Sequence, residues 1–206
     1  MKIIKELYDY REMLSNLVKK DLKVRYKGSV LGFLWTFLNP LLQLIVYTIV
    51  FSTIMKVNID KFYIYLFIGL IPWLFFATCI QAGSTSILMN KDLIKKIYFP
   101  RIILPISTVN SAFMNMFYSM LVVLLTILVS GIGFSKYVLL LPLAMIIQYI
   151  LVLGMTFIFS ALNVYFRDLE YILKLFSTFF TLITTSFAII VPPQSFSVIF
   201  QIQNIQ

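Results

Sequence analysis

The residue types that perform enzymatic chemistry are scarce in this sequence. None of the 206 residues is histidine, which excludes an imidazole base, a histidine-containing zinc site and a Ser-His-Asp triad. The eight carboxylates lie in or beside the loops between long apolar runs, and no Gly-x-x-x-x-Gly-Lys-Ser/Thr phosphate loop occurs. The single cysteine, Cys79, falls within an apolar run and is expected to serve packing. We therefore predict no catalytic residue, no metal site and no cofactor bound by this chain.

The distribution of hydrophobic residues predicts the secondary-structure elements that position the remaining side chains. Hydrophobic residues make up 61% and charged residues 12% of the chain, against roughly 25% charged residues in soluble domains. This composition excludes a water-soluble globule, and uncharged runs of about 20 residues are long enough to cross a bilayer as helices. A β-barrel would instead show short alternating segments. We predict an all-α, polytopic transmembrane helical bundle with five spans, at residues 30–54, 62–86, 104–131, 138–163 and 172–191.

Positive charges predict the orientation of the bundle. Of the 17 lysines and arginines, 14 lie in the N-terminal segment up to Lys27 and in the loops 87–103 and 164–174. Positive residues are retained on the cytoplasmic side of a membrane, so the N-terminus and these loops are predicted to be cytoplasmic in a bacterial plasma membrane. The net charge of +9 is therefore ascribed to contacts with membrane lipids, and no nucleic-acid partner is predicted.

The N-terminal segment has the pattern of an amphipathic helix. Apolar residues recur there at helical spacing while most charges fall elsewhere, and these apolar residues are Ile3, Leu7, Tyr10, Leu14, Leu17 and Val18. A basic amphipathic helix beside a span favours a position in the headgroup layer. We predict such an interfacial helix within residues 1–29, with a solvated helix and a helix packed on a partner subunit as the alternatives.

Four stretches of the chain, in order, are similar to one family of membrane proteins. The run from Lys20 to Trp35, KDLKVRYKGSVLGFLW, followed by Asn39-Pro40-Leu41, resembles the start of the first span in type-2 ABC exporter permeases of the polysaccharide, O-antigen and teichoic-acid class. The three later stretches are GLIPW at 69–73, NKDLIKKIYFPRIILP at 90–105 and NVYFRDL at 163–169. Their order and separation over residues 20–170 make the resemblance specific.

The resemblance implies a six-span permease that forms a homodimer and docks two ABC ATPase subunits, on which ATP and Mg²⁺ bind. Its substrate would be a lipid-linked polysaccharide or teichoic acid exported from the cytoplasm. The alternatives are a drug or lipid exporter of the same superfamily, a lipid-linked oligosaccharide flippase fragment without ATPase coupling, and a membrane-embedded transferase. A transferase is expected to carry carboxylates or histidine within the membrane, and the predicted spans contain none.

The loop between the second and third spans holds the candidate coupling residues. Apolar side chains lie beside lysines there, and a short amphipathic segment of this kind can insert its apolar face into a groove on a partner. In the family this position is the coupling helix that transmits ATPase movement; the alternative is a loop lying on lipid headgroups. The predicted coupling residues are Leu93, Ile94, Lys95, Lys96, Ile97, Tyr98, Phe99 and Arg101. The docking surface itself is predicted to consist of Leu93, Ile94, Ile97 and Phe99.

Two further sets of residues complete the candidate site. A cytoplasmic gate or anchor is predicted before the first span and after the fourth, at Asp21, Arg25, Tyr26, Lys27, Arg167 and Asp168. The family resemblance also implies an aromatic-lined glycan conduit, for which the candidates are Trp35, Tyr47, Trp73, Phe75 and Phe76. For each aromatic residue taken singly, a position in the interfacial belt or the core is the favoured alternative.

The C-terminal residues depart from the family pattern. Permeases of this class continue with a re-entrant segment and a sixth span, whereas residues 192–206 carry no positive charge and little periodicity. We therefore divide the single permease domain, 1–206, into residues 1–29, a membrane bundle 30–191 and an aberrant or truncated tail 192–206. The expected consequence is a chain that inserts but dimerises and exports poorly. Small residues of the fourth span, Gly154, Ser160 and Ala161, are then expected to lack a close partner.

Overall fold

The computed structural model describes residues 2–26, 28–29, 31–49, 62–129, 139–166 and 168–190. Its helices, in chain order, are α1 (Lys2–Asp9), α2 (Arg11–Tyr26), α3 (Trp35–Ile49), α4 (Phe62–Met89), α5 (Lys91–Lys96), α6 (Ile103–Val129), α7 (Leu141–Tyr165) and α8 (Leu169–Ile190). A 3-10 turn, Gly32–Leu34, precedes α3. Within the described ranges every regular element is helical, which confirms the predicted all-α fold.

Three helices coincide with predicted spans. By length and composition α4, α6 and α7 are long and apolar enough to cross a membrane, and they match the predicted spans 62–86, 104–131 and 138–163 to within a few residues. The first predicted span contains the 3-10 turn and the 15-residue α3, and the 22-residue α8 covers the fifth predicted span up to Ile190. The helical membrane bundle is therefore confirmed, while the count of five spans stays a prediction.

The core of the bundle forms around α4, which packs against α3, α6, α7 and α8. Because α4, α6 and α7 are apolar on most sides, packing decides which stripe of each helix is buried. The buried side chains of this core are Ile71, Phe75, Cys79, Val109, Ala112, Met116, Met120, Val123, Ile127, Met145 and Val152. Cys79 is fully buried among them, so its predicted packing role is confirmed.

Pro72 interrupts the backbone hydrogen bonding of α4 without ending the helix. A proline has no N–H, so the carbonyl group of Ile68 loses its usual helical partner. The side chain of Gln148 on α7 reaches this turn and donates a hydrogen bond from Nε2 to the Pro72 carbonyl oxygen at 2.7 Å. The acceptor is the Pro72 carbonyl group and not the freed carbonyl group of Ile68, so this bond serves to tie α7 to α4.

The small residues of α7 have unequal surroundings. Ser160 is 2% exposed, so the expectation that it lacks a close packing partner is wrong. The bond from its hydroxyl to the Phe157 carbonyl oxygen, at 3.0 Å, lies within α7 itself. A Cβ atom built on Gly154 meets no atom within 4 Å, and Ala161 is exposed. The difference arises because Ser160 faces the inside of the bundle, whereas Gly154 and Ala161 lie on its outer side.

Candidate coupling site next to helix α5

Helix α5 follows α4 after a single residue, Asn90. The Asn90 side chain donates from Nδ2 to the Ser86 carbonyl oxygen at 2.8 Å. The backbone carbonyl oxygen of Asn90 accepts the N–H groups of Leu93 and Ile94 in the new helix, both at 3.1 Å. Asp92 in the first turn and two lysines in the last turn match the helix dipole. The helix ends where Ile97 adopts an extended backbone conformation.

One apolar side of this segment packs on its own chain. Phe99 is only 6% exposed and lies in one buried cluster with Ile103 and Leu104 of α6 and Leu17 of α2. The half-buried side chains packed against these residues are Leu7, Tyr10, Met13, Leu14, Leu93, Ile94 and Ile102. We call these eleven residues the inner cluster. It joins the N-terminal helices, α5 and the start of α6 into one packed unit.

The N-terminal helices therefore differ from the predicted interfacial arrangement. Their apolar side, which the sequence predicts to face the headgroup layer, contributes Leu7, Tyr10, Leu14 and Leu17 to the inner cluster. The physical reason is that α5 and α6 offer apolar surface against which the same side chains leave water. An amphipathic pattern shows that one face needs burial but not which surface covers it.

A second apolar surface near α5 is exposed. Ile97 is 54% exposed, Tyr98 93% and Met89 74%. We call these three residues the outer patch. The exposed basic residues on either side of it in the chain are Lys91, Lys95, Lys96 and Arg101. Large apolar side chains exposed beside charged ones are typical of a surface that binds a partner.

The predicted docking surface is thus divided between two sides of the segment. Ile97 is exposed, whereas Leu93 and Ile94 are half-buried and Phe99 is buried in the inner cluster. The prediction that all four side chains face a partner is corrected accordingly. The reason is that the helix ends at Lys96, so Ile97 does not continue the face of Leu93 and Ile94, and Phe99 packs with Leu17, Ile103 and Leu104.

The predicted gate or anchor residues are described only in part. Asp21 is half-buried on α2, and Asp168 is exposed in the turn before α8. The side chains that lie outside the described part of the chain are those of Arg25, Tyr26, Lys27 and Arg167. A gate formed by these six residues stays a prediction.

The aromatic candidates have different surroundings. Phe75 is buried in the core, where its ring centroid lies 6.0 Å from that of Phe113, so it offers no free face to a glycan. Trp35 donates from Nε1 to the Ser29 hydroxyl oxygen at 2.8 Å, at the start of α3. The side chain of Tyr47 lies outside the described part of the chain. Phe75 is therefore removed from the conduit candidates, whereas Trp35 and Tyr47 stay predictions.

Trp73 and Phe76 belong to a row of rings that continues from α4 onto α8. The Trp73 ring centroid lies 5.4 Å from that of Phe76 and 6.0 Å from that of Phe180, with which it is nearly parallel. The Phe180 ring lies 4.5 Å from that of Phe176. We call these four rings the aromatic row. A groove of about 370 Å³ beside it is lined by Gly69, Pro72, Trp73, Phe76, Gln148 and Leu151.

Sequence reasoning missed three of the residues just described. Phe176 and Phe180 are four residues apart on α8, a spacing that places both rings on one helix face and could have identified them. Gln148 is an amide within an apolar helix, which signals a hydrogen bond inside the bundle but not its acceptor.

A family match accompanies this geometry. Residues 13–202, from α2 to beyond α8, match the ABC-2 type transporter family. This chain belongs to the ABC-2 type transporter membrane family. The resemblance carried by the four sequence stretches is thereby confirmed.

Relatives of this ABC-2 transporter chain include proteins named O-antigen export system permease protein RfbA. The one from Myxococcus xanthus is 40% identical over 174 residues, which are 84% of this chain and 67% of that protein. Two from Klebsiella pneumoniae are 39% and 38% identical over 160 residues, which are 77% of this chain and 62% of theirs. The chain thus spans about two thirds of the length of these relatives. Together with the long apolar helices, membership of the ABC-2 family indicates a multi-pass membrane protein.

Proposed function

We propose that this chain is the permease subunit of an ATP-driven exporter that moves a lipid-linked polysaccharide or teichoic acid from the cytoplasm across the bacterial plasma membrane. The observation that carries the proposal is the identity of about 40%, over most of the chain, to permeases named for O-antigen export. Two copies of the chain and two ABC ATPase subunits would form the exporter. ATP and Mg²⁺ would bind to the ATPases, and this chain would supply the membrane pathway.

The outer patch is the proposed contact for the ATPase. Ile97 and Tyr98, together with Met89 at the end of α4, would enter an apolar groove of that subunit, while the exposed lysines of α5 and Arg101 would face acidic residues at the rim. The inner cluster packs α5 against α2 and α6, so a force on the outer patch would act on packed helices instead of a loose loop. This division between exposed and buried side chains supports a coupling role.

The aromatic row and its groove are the proposed contact for the glycan. Four rings in succession present large, rigid, apolar faces on which sugar rings can lie. The groove beside Trp73 is lined mainly by apolar side chains, and Gln148 has its amide nitrogen bonded to the Pro72 carbonyl oxygen. The same lining would suit an acyl chain or a drug, which is the alternative for this class of permease.

Export can be measured in inverted membrane vesicles that contain the permease and its ABC ATPase. We expect ATP to drive lipid-linked glycan into the vesicle lumen, where an added glycosidase no longer reaches it. Vesicles with an ATPase variant that cannot hydrolyse ATP are the control. Uptake of a fluorescent phospholipid or a drug, with the glycan left outside, would contradict the proposed substrate and favour the alternative.

The proposed orientation is tested by cysteine labelling. A thiol introduced by Lys95→Cys should react with an impermeant reagent in inverted vesicles but not in intact cells, because 14 of the 17 basic residues lie in the segments assigned to the cytoplasm. Cys79 is buried and is replaced by serine, which leaves one reactive thiol. Lys61→Cys, outside the described residues, should show the opposite pattern. Labelling of Lys95→Cys in intact cells, with Lys61→Cys silent, would reverse the orientation.

The glycan contact predicts a specific effect at Trp73. Trp73→Ala removes the ring between Phe76 and Phe180, and we expect export to slow roughly tenfold, about 1.4 kcal/mol. Trp73→Phe keeps an aromatic face and should retain most of the rate. The measurement is the initial rate of ATP-driven glycan uptake per amount of permease in the vesicles. Equal rates in both variants and the unsubstituted chain would assign Trp73 to lipid contacts or packing.

A further inference from the structure

Helices α4 and α7 approach each other closely at Gly83. A Cβ atom built on Gly83 would lie 2.2 Å from Cγ2 and 3.4 Å from Cβ of Thr156. Thr156 is fully buried, and its hydroxyl donates to the Val152 carbonyl oxygen at 2.7 Å, which holds the branched side chain in one rotamer. Only glycine fits at position 83 while Thr156 stays in place. Small residues bring membrane helices together in this way.

Two hydrogen bonds tie the same helices together. Asn163 of α7 is fully buried and donates from Nδ2 to the Ser84 carbonyl oxygen of α4 at 3.2 Å. Gln148 of α7 donates to the Pro72 carbonyl oxygen of α4 at 2.7 Å. With the contact at Gly83, these bonds fasten α7 to α4 along the stretch between Pro72 and Ser84, about 18 Å at 1.5 Å per residue.

Helix α4 also leads directly into α5. Only Asn90 separates the two helices, and its side chain bonds back to the Ser86 carbonyl oxygen at 2.8 Å. This connection is too short and too well bonded to act as a loose hinge. A displacement of α5 therefore acts on α4, and through α4 on whatever is fastened to it.

We propose that α4 and α7 move as one rigid body, so that a displacement of α5 carries the end of α7, residues 164–166, with it. The Gly83–Thr156 contact and the Asn163–Ser84 bond form the clamp nearest to α5. The displacement of α5 by an ATPase rests on the proposed function. The rigidity of α4 and α7 as a pair rests on the contacts between these two helices. Force applied at the outer patch thus reaches the turn between α7 and α8.

The rigidity is tested by double electron–electron resonance on the permease in nanodiscs, without an ATPase. Spin labels are placed at Lys95→Cys on α5 and Tyr165→Cys at the end of α7, both exposed positions, with Cys79 replaced by serine. We expect one narrow distance distribution. In Gly83→Val it should shift or widen by about 1 Å or more, because the 2.2 Å approach must open to an ordinary contact of at least 3.4 Å.

The matched control is Gly154→Val on α7. A Cβ atom at Gly154 meets no atom within 4 Å, so the same glycine-to-valine change should leave the distance distribution as it is. An unchanged distribution in Gly83→Val, or equal changes in the two variants, would overturn the proposal.

A second pair of variants decides the question if Gly83→Val does not accumulate in membranes. Gly83→Ala keeps the 2.2 Å conflict with Thr156 Cγ2, whereas Gly83→Ala combined with Thr156→Ser removes that methyl group and leaves a Cβ–Cβ distance of 3.4 Å. The narrow distribution should be lost in the single variant and return in the double variant. A double variant that stays as broad as the single one would contradict the clamp.

The link to ATP hydrolysis is tested in the assembled exporter. Gly83→Ala should keep ATP hydrolysis but move roughly tenfold less glycan per ATP, and the added Thr156→Ser should recover the ratio. An unchanged ratio in Gly83→Ala would overturn the transmission from α5 to α7. An unsubstituted chain that binds no ATPase would instead contradict the proposed function, and the nanodisc measurement would still decide whether the pair is rigid.

Discussion

Aspartate at both Ile97 and Tyr98 should release the ATPase from the permease while the bundle stays folded. These side chains are 54% and 93% exposed, so the change removes apolar contact area from the proposed docking surface and costs the permease itself little. Two charges placed in an apolar groove without partners are expected to weaken binding by about 3 kcal/mol, roughly a hundredfold in Kd. The measurement is ATPase co-purification from detergent-solubilised membranes, together with the thermal unfolding of the permease.

Ile94→Asp is the informative comparison for this experiment. Ile94 is three residues from Ile97 but is half-buried in the inner cluster, so its replacement should lower the unfolding temperature of the permease. Any loss of the ATPase would then accompany a loss of structure. Retention of the ATPase by the Ile97 and Tyr98 variant, with clean release by Ile94→Asp, would place the docking surface on the inner side.

The long helices could be predicted from the sequence alone. The length of an apolar run can be counted directly in the sequence, and charged residues mark its two ends. The run between Arg101 and Lys136 therefore located α6 before any packing was known, and the run from Lys61 to Lys91 located α4. The family was recognisable for a similar reason, since three of its four motifs lie at the ends of these runs.

Which side of each helix faces the core could not be predicted in the same way. Trp73 and Phe75 are neighbours in an apolar helix, and nothing in their types indicates that Phe75 is in the core while Trp73 lies beside an open groove. The Gly83–Thr156 contact depends on two residues far apart in sequence. Packing between helices decides which side of each helix is buried. Hydrophobic periodicity cannot predict that side when every face of the helix is apolar.

In the short segment after α5, too, the sequence pattern does not predict which side chains are buried. A continuous helix would place Ile94 and Ile97 on one face, three residues apart. The helix ends before Ile97, and Leu93 and Ile94 pack against a cluster that includes Leu17 of α2, which is far away in sequence. That this segment docks an ATPase stays a prediction, while the division of its side chains into an inner and an outer side required the tertiary structure.

Leu17→Asp should detach the N-terminal helices from the rest of the permease. Leu17 is buried with Phe99, Ile103 and Leu104, so an aspartate there loses the apolar contacts of leucine and buries a charge without a partner. We expect a loss of about 3 to 5 kcal/mol in the local stability of this contact. When local opening is fast relative to cleavage, the cleavage rate follows the population of the open form. In nanodiscs, trypsin should therefore cut the variant after Lys19 and Lys20 at least tenfold faster than it cuts the unsubstituted chain.

A substitution at the neighbouring position on α2 tests whether the inner cluster or the membrane surface holds these helices in place. Asn16 is exposed, and Asn16→Asp introduces the same charged side chain one residue away without entering the cluster, so its cleavage rate should match that of the unsubstituted chain. If the headgroup layer held the helix, Phe99→Ala would leave cleavage unchanged, since that substitution alters only the cluster. Because Phe99 is 6% exposed against α2, we expect Phe99→Ala to accelerate cleavage as Leu17→Asp does. Cleavage that Leu17→Asp accelerates and Phe99→Ala does not would return these helices to the interfacial position that their sequence pattern predicts.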